Sequence, residues 1–127
     1  MRLRVRTWLA FAAINGGLAV AAGAFAAHGL QGRLDAQALQ IFETGARYHM
    51  YHALAMGLGA LVKDGAARQL AHTACFLFLA GIVLFCGSLY LLALTGMHAL
   101  VLVTPVGGIA LLAGWAVLAW AATRISA

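Results

Sequence analysis

The densest group of side chains in this sequence that are capable of proton transfer, ligation or ion pairing falls within one stretch, Glu43-Thr44-Gly45-Ala46-Arg47-Tyr48-His49-Met50-Tyr51-His52. Glu43 and Arg47 stand four apart with the acid first, the favourable order for an ion pair along one helix. Such a pair lets a guanidinium rest near an interface without a ligand; the alternative is that Arg47 binds an anionic substrate. His49 and His52 are three apart, which sets their imidazoles about 60° apart on one side of a helix, compatible with metal or haem ligation. Haem between helices also needs a partner at matching depth, and His28 is the evident one; no C-x-x-C-H attachment sequence occurs. His72-x-x-Cys75 is a weaker pair. Cys75 and Cys86 lie in one apolar run, separated by roughly 16 Å of helical rise, too far for a disulfide. The three acids are Asp35, Glu43 and Asp64, two of them in connecting segments. With no paired-carboxylate site, P-loop or nucleophile elbow, the sequence reads as a non-enzyme without metal or cofactor.

The elements that position these residues follow from composition. Of 127 residues, 65% are apolar and only 9% charged, eight Lys or Arg against three Asp or Glu. Soluble domains carry about 25% charged residues, so a soluble enzyme, a nucleic-acid binder and a disordered chain all fit poorly. Residues 7–32, 48–62 and 69–123 contain no Asp, Glu, Lys or Arg, and a helical span needs about 20 apolar residues. This is the sequence of an integral membrane protein. Arg2, Arg4 and Arg6 before an apolar stretch, with Ala24-Phe25-Ala26 after it, imitate a secretory signal. The stretch Trp8–Ala27 exceeds the usual apolar signal region of about 7–15 residues and is expected to stay attached.

The pattern predicts one all-α membrane domain over 1–127, a four-helix bundle with spans at about 8–28, 45–62, 69–94 and 104–124. Gly29-Leu30-Gln31-Gly32 ends the first helix and Asp35 caps the second, which runs from Ala36 to Val62. The second helix begins as an interfacial amphipathic segment and enters the membrane near Gly45, which draws Arg47, His49 and His52 into one leaflet. Thr95-Gly96 ends the third helix. Thr104 as N-cap and Pro105 at the first helical position start the fourth, leaving Ala99–Val103 as connection or bent helix.

Both termini then share a side with Arg2, Arg4, Arg6, Lys63, Arg68 and Arg124, against Arg33 and Arg47 opposite. Six against two predicts cytoplasmic termini in a bacterial inner membrane. Trp8, Trp115 and Trp120 fall towards the inner half and the tyrosines towards the outer. His28, Glu43, Arg47, Tyr48, Tyr51, His52, Tyr90 and Thr104 gather in the outer leaflet as a polar cluster, binding or structural. Only Asn15 and His72 lie deeper or inward. Small residues mark helix-packing positions: Gly17 within Ala13-Gly17-Ala21, the seam Gly45, His52 and Gly59, and further on Gly87, Gly107, Gly108 and Gly114. Ala19-Gly23-Ala27 forms a second small-residue ridge on the first helix.

Gly23-Ala24-Phe25-Ala26-Ala27-His28-Gly29-Leu30 and Phe42-Glu43-Thr44-Gly45-Ala46-Arg47-Tyr48-His49-Met50-Tyr51-His52-Ala53-Leu54 resemble the two leading motifs of domain-of-unknown-function family 423, the YgdD-like small membrane proteins. Gly87-Ser88-Leu89-Tyr90-Leu91, and Thr104-Pro105-Val106-Gly107-Gly108 with Gly114-Trp115, resemble the later two. The resemblance covers nearly the whole chain. It implies a small four-span protein of the bacterial inner membrane, similar to a mitochondrial relative in animals, and it supplies no activity. His28, Glu43, Arg47, Tyr48, Tyr51 and His52 match the family pattern; His49 stands where Gln is usual and Cys86 where Ser is usual.

The expected function is that of a non-enzymatic accessory or packing protein of a membrane complex. The rival is a binder or transporter of a small solute through the Arg47–His52 region; a haem-binding redox protein ranks third. The partners implied are the lipid bilayer and either a larger membrane complex or further copies of the chain, with no nucleic acid.

Overall fold

The computed structural model describes residues 2–126, with side chains from residue 5 onward. The side chains of Arg2 and Arg4, counted in the charge asymmetry, lie outside the described residues, as do Met1 and Ala127 of the expected domain. Four helices follow one another: α1 (Arg2–His28), α2 (Ala36–Ala60), α3 (Gly65–Thr95) and α4 (Val103–Ala122). Among the described residues there is no strand. The segments Val5–His28, Gly65–Thr95 and His98–Ala122 are long and apolar enough to cross a membrane.

The stops and starts have local causes. Gly32 (φ +78°) and Gly96 (φ +70°) take the left-handed conformation that glycine adopts without strain; Gly96 ends α3, and Gly32 lies in the turn between α1 and α2. The Asp35 carboxylate accepts the Ala38 N–H at 2.8 Å and caps α2, as the sequence predicts. Asp64 makes no cap bond to its helix. It accepts instead the Ser126 N–H at 3.0 Å, which ties the C-terminal end to the α2–α3 turn.

Two helices differ from expectation. Thr104 is not the N-cap of α4. A 3₁₀ turn, His98–Leu102, runs straight into Val103, so 99–103 is helical throughout and Pro105 sits inside the first turn. The third helix, in turn, is not uniform. It widens into a π-helical turn over Ile82–Cys86, where the Gly87 N–H reaches the Ile82 carbonyl. The sequence carries no signal for this insertion.

α2 is the least apolar helix, and it lies at the centre, packed on α1 and on both halves of α3. Its interior face repeats every three or four residues through Gly45, His49, His52, Met56 and Gly59. Trp8, Ala12, Met56, Cys75, Phe78, Cys86 and Leu111 share the main core, and Ala26, Leu30, Phe42 and Ala93 a smaller one near the α1–α2 turn. Trp8 is therefore a core residue and not part of an aromatic belt.

Glycine positions sort into two groups. A methyl at Gly45 would meet the Tyr90 ring at 3.0 Å, at Gly59 the Cys75 sulfur at 2.8 Å and at Gly114 the Phe78 ring at 2.7 Å. At Gly107 it would overlap the backbone of Leu84 and Phe85, inside the π turn, and at Gly81, which the sequence reading passed over, the Leu111 side chain. These are close-packing positions. Gly108 makes only ordinary contact with Phe85. The expectation fails at Gly17 and Gly87, where nothing stands within 4 Å. On α1 the packed ridge is Ala12, Ala19 and Ala26, while Ala13, Gly17 and Ala21 face outward. Gly23, in the second ridge, also has nothing within 4 Å.

Candidate functional site

The residues expected to form one cluster occupy five separate places. His28 ends α1 exposed, with no hydrogen bond among the described residues. Thr104 lies on the α3–α4 contact, its hydroxyl 2.6 Å from that of Ser88, which in turn donates to the Phe85 carbonyl at 2.9 Å. Ser88 stands in the Gly87-Ser88-Leu89-Tyr90-Leu91 motif, but a lone serine in an apolar run has no spacing signature that marks this contact.

The two histidines of α2 point to different neighbours. His52 donates from Nδ1 to the Tyr48 carbonyl at 2.6 Å, and its Nε2 accepts the indole N–H of Trp115 on α4 at 3.0 Å. Because an indole N–H can only donate and a carbonyl can only accept, both ring positions are assigned: Nδ1 carries the proton and the imidazole is neutral. His52 also packs edge-on to Trp115, with ring centroids 5.9 Å apart. Trp115 therefore ties α4 to α2 by its indole N–H while the residue itself stays exposed.

His49, about 60° round the same face, meets other neighbours. Its Nδ1 lies 2.9 Å from the Tyr90 hydroxyl of α3 and its Nε2 lies 2.9 Å from Oδ1 of Asn15 on α1. The Asn15 amide donates to the Phe11 carbonyl at 2.8 Å, which leaves Oδ1 to accept. The directions then follow in order: Tyr90 O–H to His49 Nδ1, His49 Nε2–H to Asn15, Asn15 N–H to Phe11. This chain of three bonds joins α3, α2 and α1. His49 is 5% exposed and Asn15 7% exposed, so neither relies on water. In sequence, the spacing of His49 and His52 suggests ligation alone, and Asn15 stands as an isolated deep polar residue. A usable signal was there, because Asn15 falls in register with Trp8, Ala12, Ala19 and Ala26 on the packed face.

Ligation by the His49–His52 pair does not fit this arrangement. All four ring nitrogens have protein partners, and among the described residues no group of three His, Cys, Asp or Glu side chains converges. The Cys75 thiol donates to the Met56 carbonyl at 3.3 Å and, like Cys86, is a buried packing residue.

The expected Glu43–Arg47 ion pair is not formed; among the described residues no ion pair joins them. Both side chains are exposed, and the Arg47 guanidinium turns to Thr44 Oγ1 at 3.4 Å. They border a shallow pocket of about 340 Å³ floored by Ala19, Gly23 and Ala46. At an exposed position the weak attraction of such a pair does not outweigh holding two long side chains in one geometry. The remaining candidates, Tyr48 and Tyr51, flank a larger groove of about 600 Å³ between α2 and α4, whose walls include His52, Phe85, Leu112 and Trp115. Tyr48 lies nearly parallel to His52, with centroids 6.1 Å apart.

The stretch that holds His49, His52, Ser88, Tyr90 and Thr104 is also the stretch that matches a known family. The sequence model described as "Protein of unknown function (DUF423)" matches residues 22–108. The chain belongs to this family. Among its relatives is the UPF0382 membrane protein YwdK of Bacillus subtilis, 42% identical over 121 residues that cover 94% of this chain and 98% of that one. The UPF0382 inner membrane protein YgdD of Escherichia coli is 42% identical over 121 residues, 94% of this chain and 92% of the relative. A UPF0382 membrane protein of Haemophilus influenzae is 43% identical over 116 residues, 89% and 90% of the two chains. No solved structure matches the chain. The protein is thus a multi-helix membrane protein of an uncharacterised family, as the motif resemblance implies.

Proposed function

We propose that this DUF423 chain is a non-catalytic accessory protein of a larger membrane complex, acting through its outer surface and not through a polar interior. The observation that carries this reading is the closure of the interior polar groups on one another. His49, Asn15, Tyr90, His52 and Trp115 all have protein hydrogen-bond partners, and three of these bonds tie helices together. Transport of a solute would need such groups to line a shared path, and here they engage different neighbours, His49 the side chains of α1 and α3 and His52 that of α4. What the bundle offers to a partner is external: the aromatic groove between α2 and α4.

Residence in the inner membrane with both termini cytoplasmic is part of the same proposal. The E. coli relative is named an inner membrane protein. The Ser126–Asp64 bond supports grouping Arg124 with Lys63 and Arg68 at one end of the bundle. Reporter fusions at the C-terminus and in the 63–68 turn are expected to read cytoplasm.

Photo-crosslinking from Ile109 and Leu112 in living cells tests the accessory role. A discrete protein adduct is expected at these groove positions and not at Leu18 or Val20 on the outer face of α1. Lipid adducts alone, at all four positions, would overturn it.

A further inference from the structure

The Glu43–Arg47 pocket has features that an incidental surface pair lacks. Its floor residues Gly23 and Ala19 lie five and nine positions before His28, so it sits about 7–13 Å inside the end of α1. A guanidinium at that depth, exposed and without a protein counter-ion, is costly in hydrocarbon unless it reaches the headgroup layer or meets an anion. Side chains on a helix lean towards its N-terminus. For α2 that is the Asp35 end, and the Arg47–Thr44 contact shows the guanidinium leaning that way. Glu43 stands one turn nearer the same end, is exposed, and makes no hydrogen bond or ion pair among the described residues. Along the membrane normal the positive group is therefore the deeper and the negative group the shallower.

That order is complementary to one class of molecule in a bilayer. In an aminophospholipid headgroup the phosphodiester is the deeper charge and the primary ammonium the shallower one. We propose that Glu43 and Arg47 bind the headgroup of a zwitterionic aminophospholipid, with Arg47 donating to the phosphodiester oxygens and Glu43 accepting from the ammonium. Ala19, Gly23 and Ala46 leave room for the glycerol and first acyl carbons against the α1–α2 groove. A choline headgroup offers the carboxylate no N–H to accept, and a glycerol headgroup offers it no positive charge. Discrimination thus resides in Glu43, while Arg47 holds any phosphodiester.

The full-length protein in mild detergent, mixed with phosphatidylethanolamine, phosphatidylcholine or phosphatidylglycerol of identical acyl chains, reports retained lipid by native mass spectrometry. The ethanolamine lipid is expected to be retained about fivefold over each of the others, the scale of one exposed charge pair. Glu43→Gln should bring the three lipids to near equality, and Arg47→Gln should lower all three. Arg47→Lys, which keeps the charge, should keep the order, and helical circular dichroism checks that each variant is folded. Equal retention by the unaltered protein, preference for the glycerol lipid, or an ethanolamine preference that survives Glu43→Gln would each overturn the proposal. So would displacement by millimolar glycerophosphoethanolamine, which would mark a soluble ligand and not a membrane lipid.

Discussion

At Gly107 the α4 backbone lies so close to α3 that a methyl would overlap Phe85, whereas at Gly17 of α1 the same position has nothing within 4 Å. The two halves of the bundle contain similar small-residue stripes and hold together differently. In the α3–α4 half, Gly81, Gly107 and Gly114 let backbones approach, and the π turn at Ile82–Cys86 meets Gly107 directly. In the α1–α2 half, alanines and Trp8 pack, and the His49–Asn15 bond supplies a directional link. Lipid tails are as apolar as the helices, so neither half gains a hydrophobic drive between its helices. One half substitutes close packing for it, with the Ser88–Thr104 contact beside it, and the other a buried polar tie.

Gly107→Ala is the strongest way to test the packed half. Overpacking usually costs about 1–3 kcal/mol, and the upper end is expected here because the obstruction is backbone, which cannot rotate away. Thermal unfolding in detergent should fall well below that of the unaltered protein. A stability equal to that of Gly108→Ala, whose methyl would make ordinary contact, would show that the π turn yields easily.

His49→Leu tests the tied half. It leaves the Tyr90 hydroxyl and the Asn15 carbonyl without their partner, and interhelical hydrogen bonds in membranes are worth about 0.6–2 kcal/mol. His49→Gln should recover most of the loss, since a primary amide supplies one acceptor and one donor as the neutral imidazole does. Equal losses in the two variants would mean that the imidazole acts by its shape alone. A double-mutant cycle with Tyr90→Phe should show coupling, and additivity there would remove the tie from the argument.

The two halves were also unequally legible in sequence. The charge gaps, the Asp35 cap and the glycine stops fix four helices, and the placement of Gly45, His52 and Gly59 at helical spacing puts the interior face of α2 where the structure has it. α1 is different. It is rich in Ala and Gly on every side, so a rotation of about one residue moves one small-residue ridge outward and another inward with little change in pattern. Asn15 breaks that degeneracy, because an amide at such depth must find a partner, and its partner proved to be His49. The polar cluster was misread for a related reason. Depth along the membrane follows from residue number, but the face of the helix decides which side chains meet, and neighbours in depth such as His28, Arg47 and Thr104 lie on different faces.

Gly17→Leu is the smallest expected effect. Gly17 is exposed on α1 with open space beyond it, so a leucine there extends into lipid without displacing any atom of the bundle. Glycine is also the weaker helix former, by about 0.8–1.0 kcal/mol relative to alanine in water, so the substitution removes backbone freedom and adds no clash. The net change in stability is expected within about 0.5 kcal/mol of zero, as for surface substitutions away from special contacts. Thermal unfolding at several protein-to-detergent ratios gives the measurement its reach. If the variant is stable at all ratios, the polar tie and the alanine ridge hold α1 without its outer glycines. If it loses stability only where the protein is concentrated, the outer ridge Ala13, Gly17 and Ala21 packs on another copy, and the contrast between the two halves holds for the isolated chain alone.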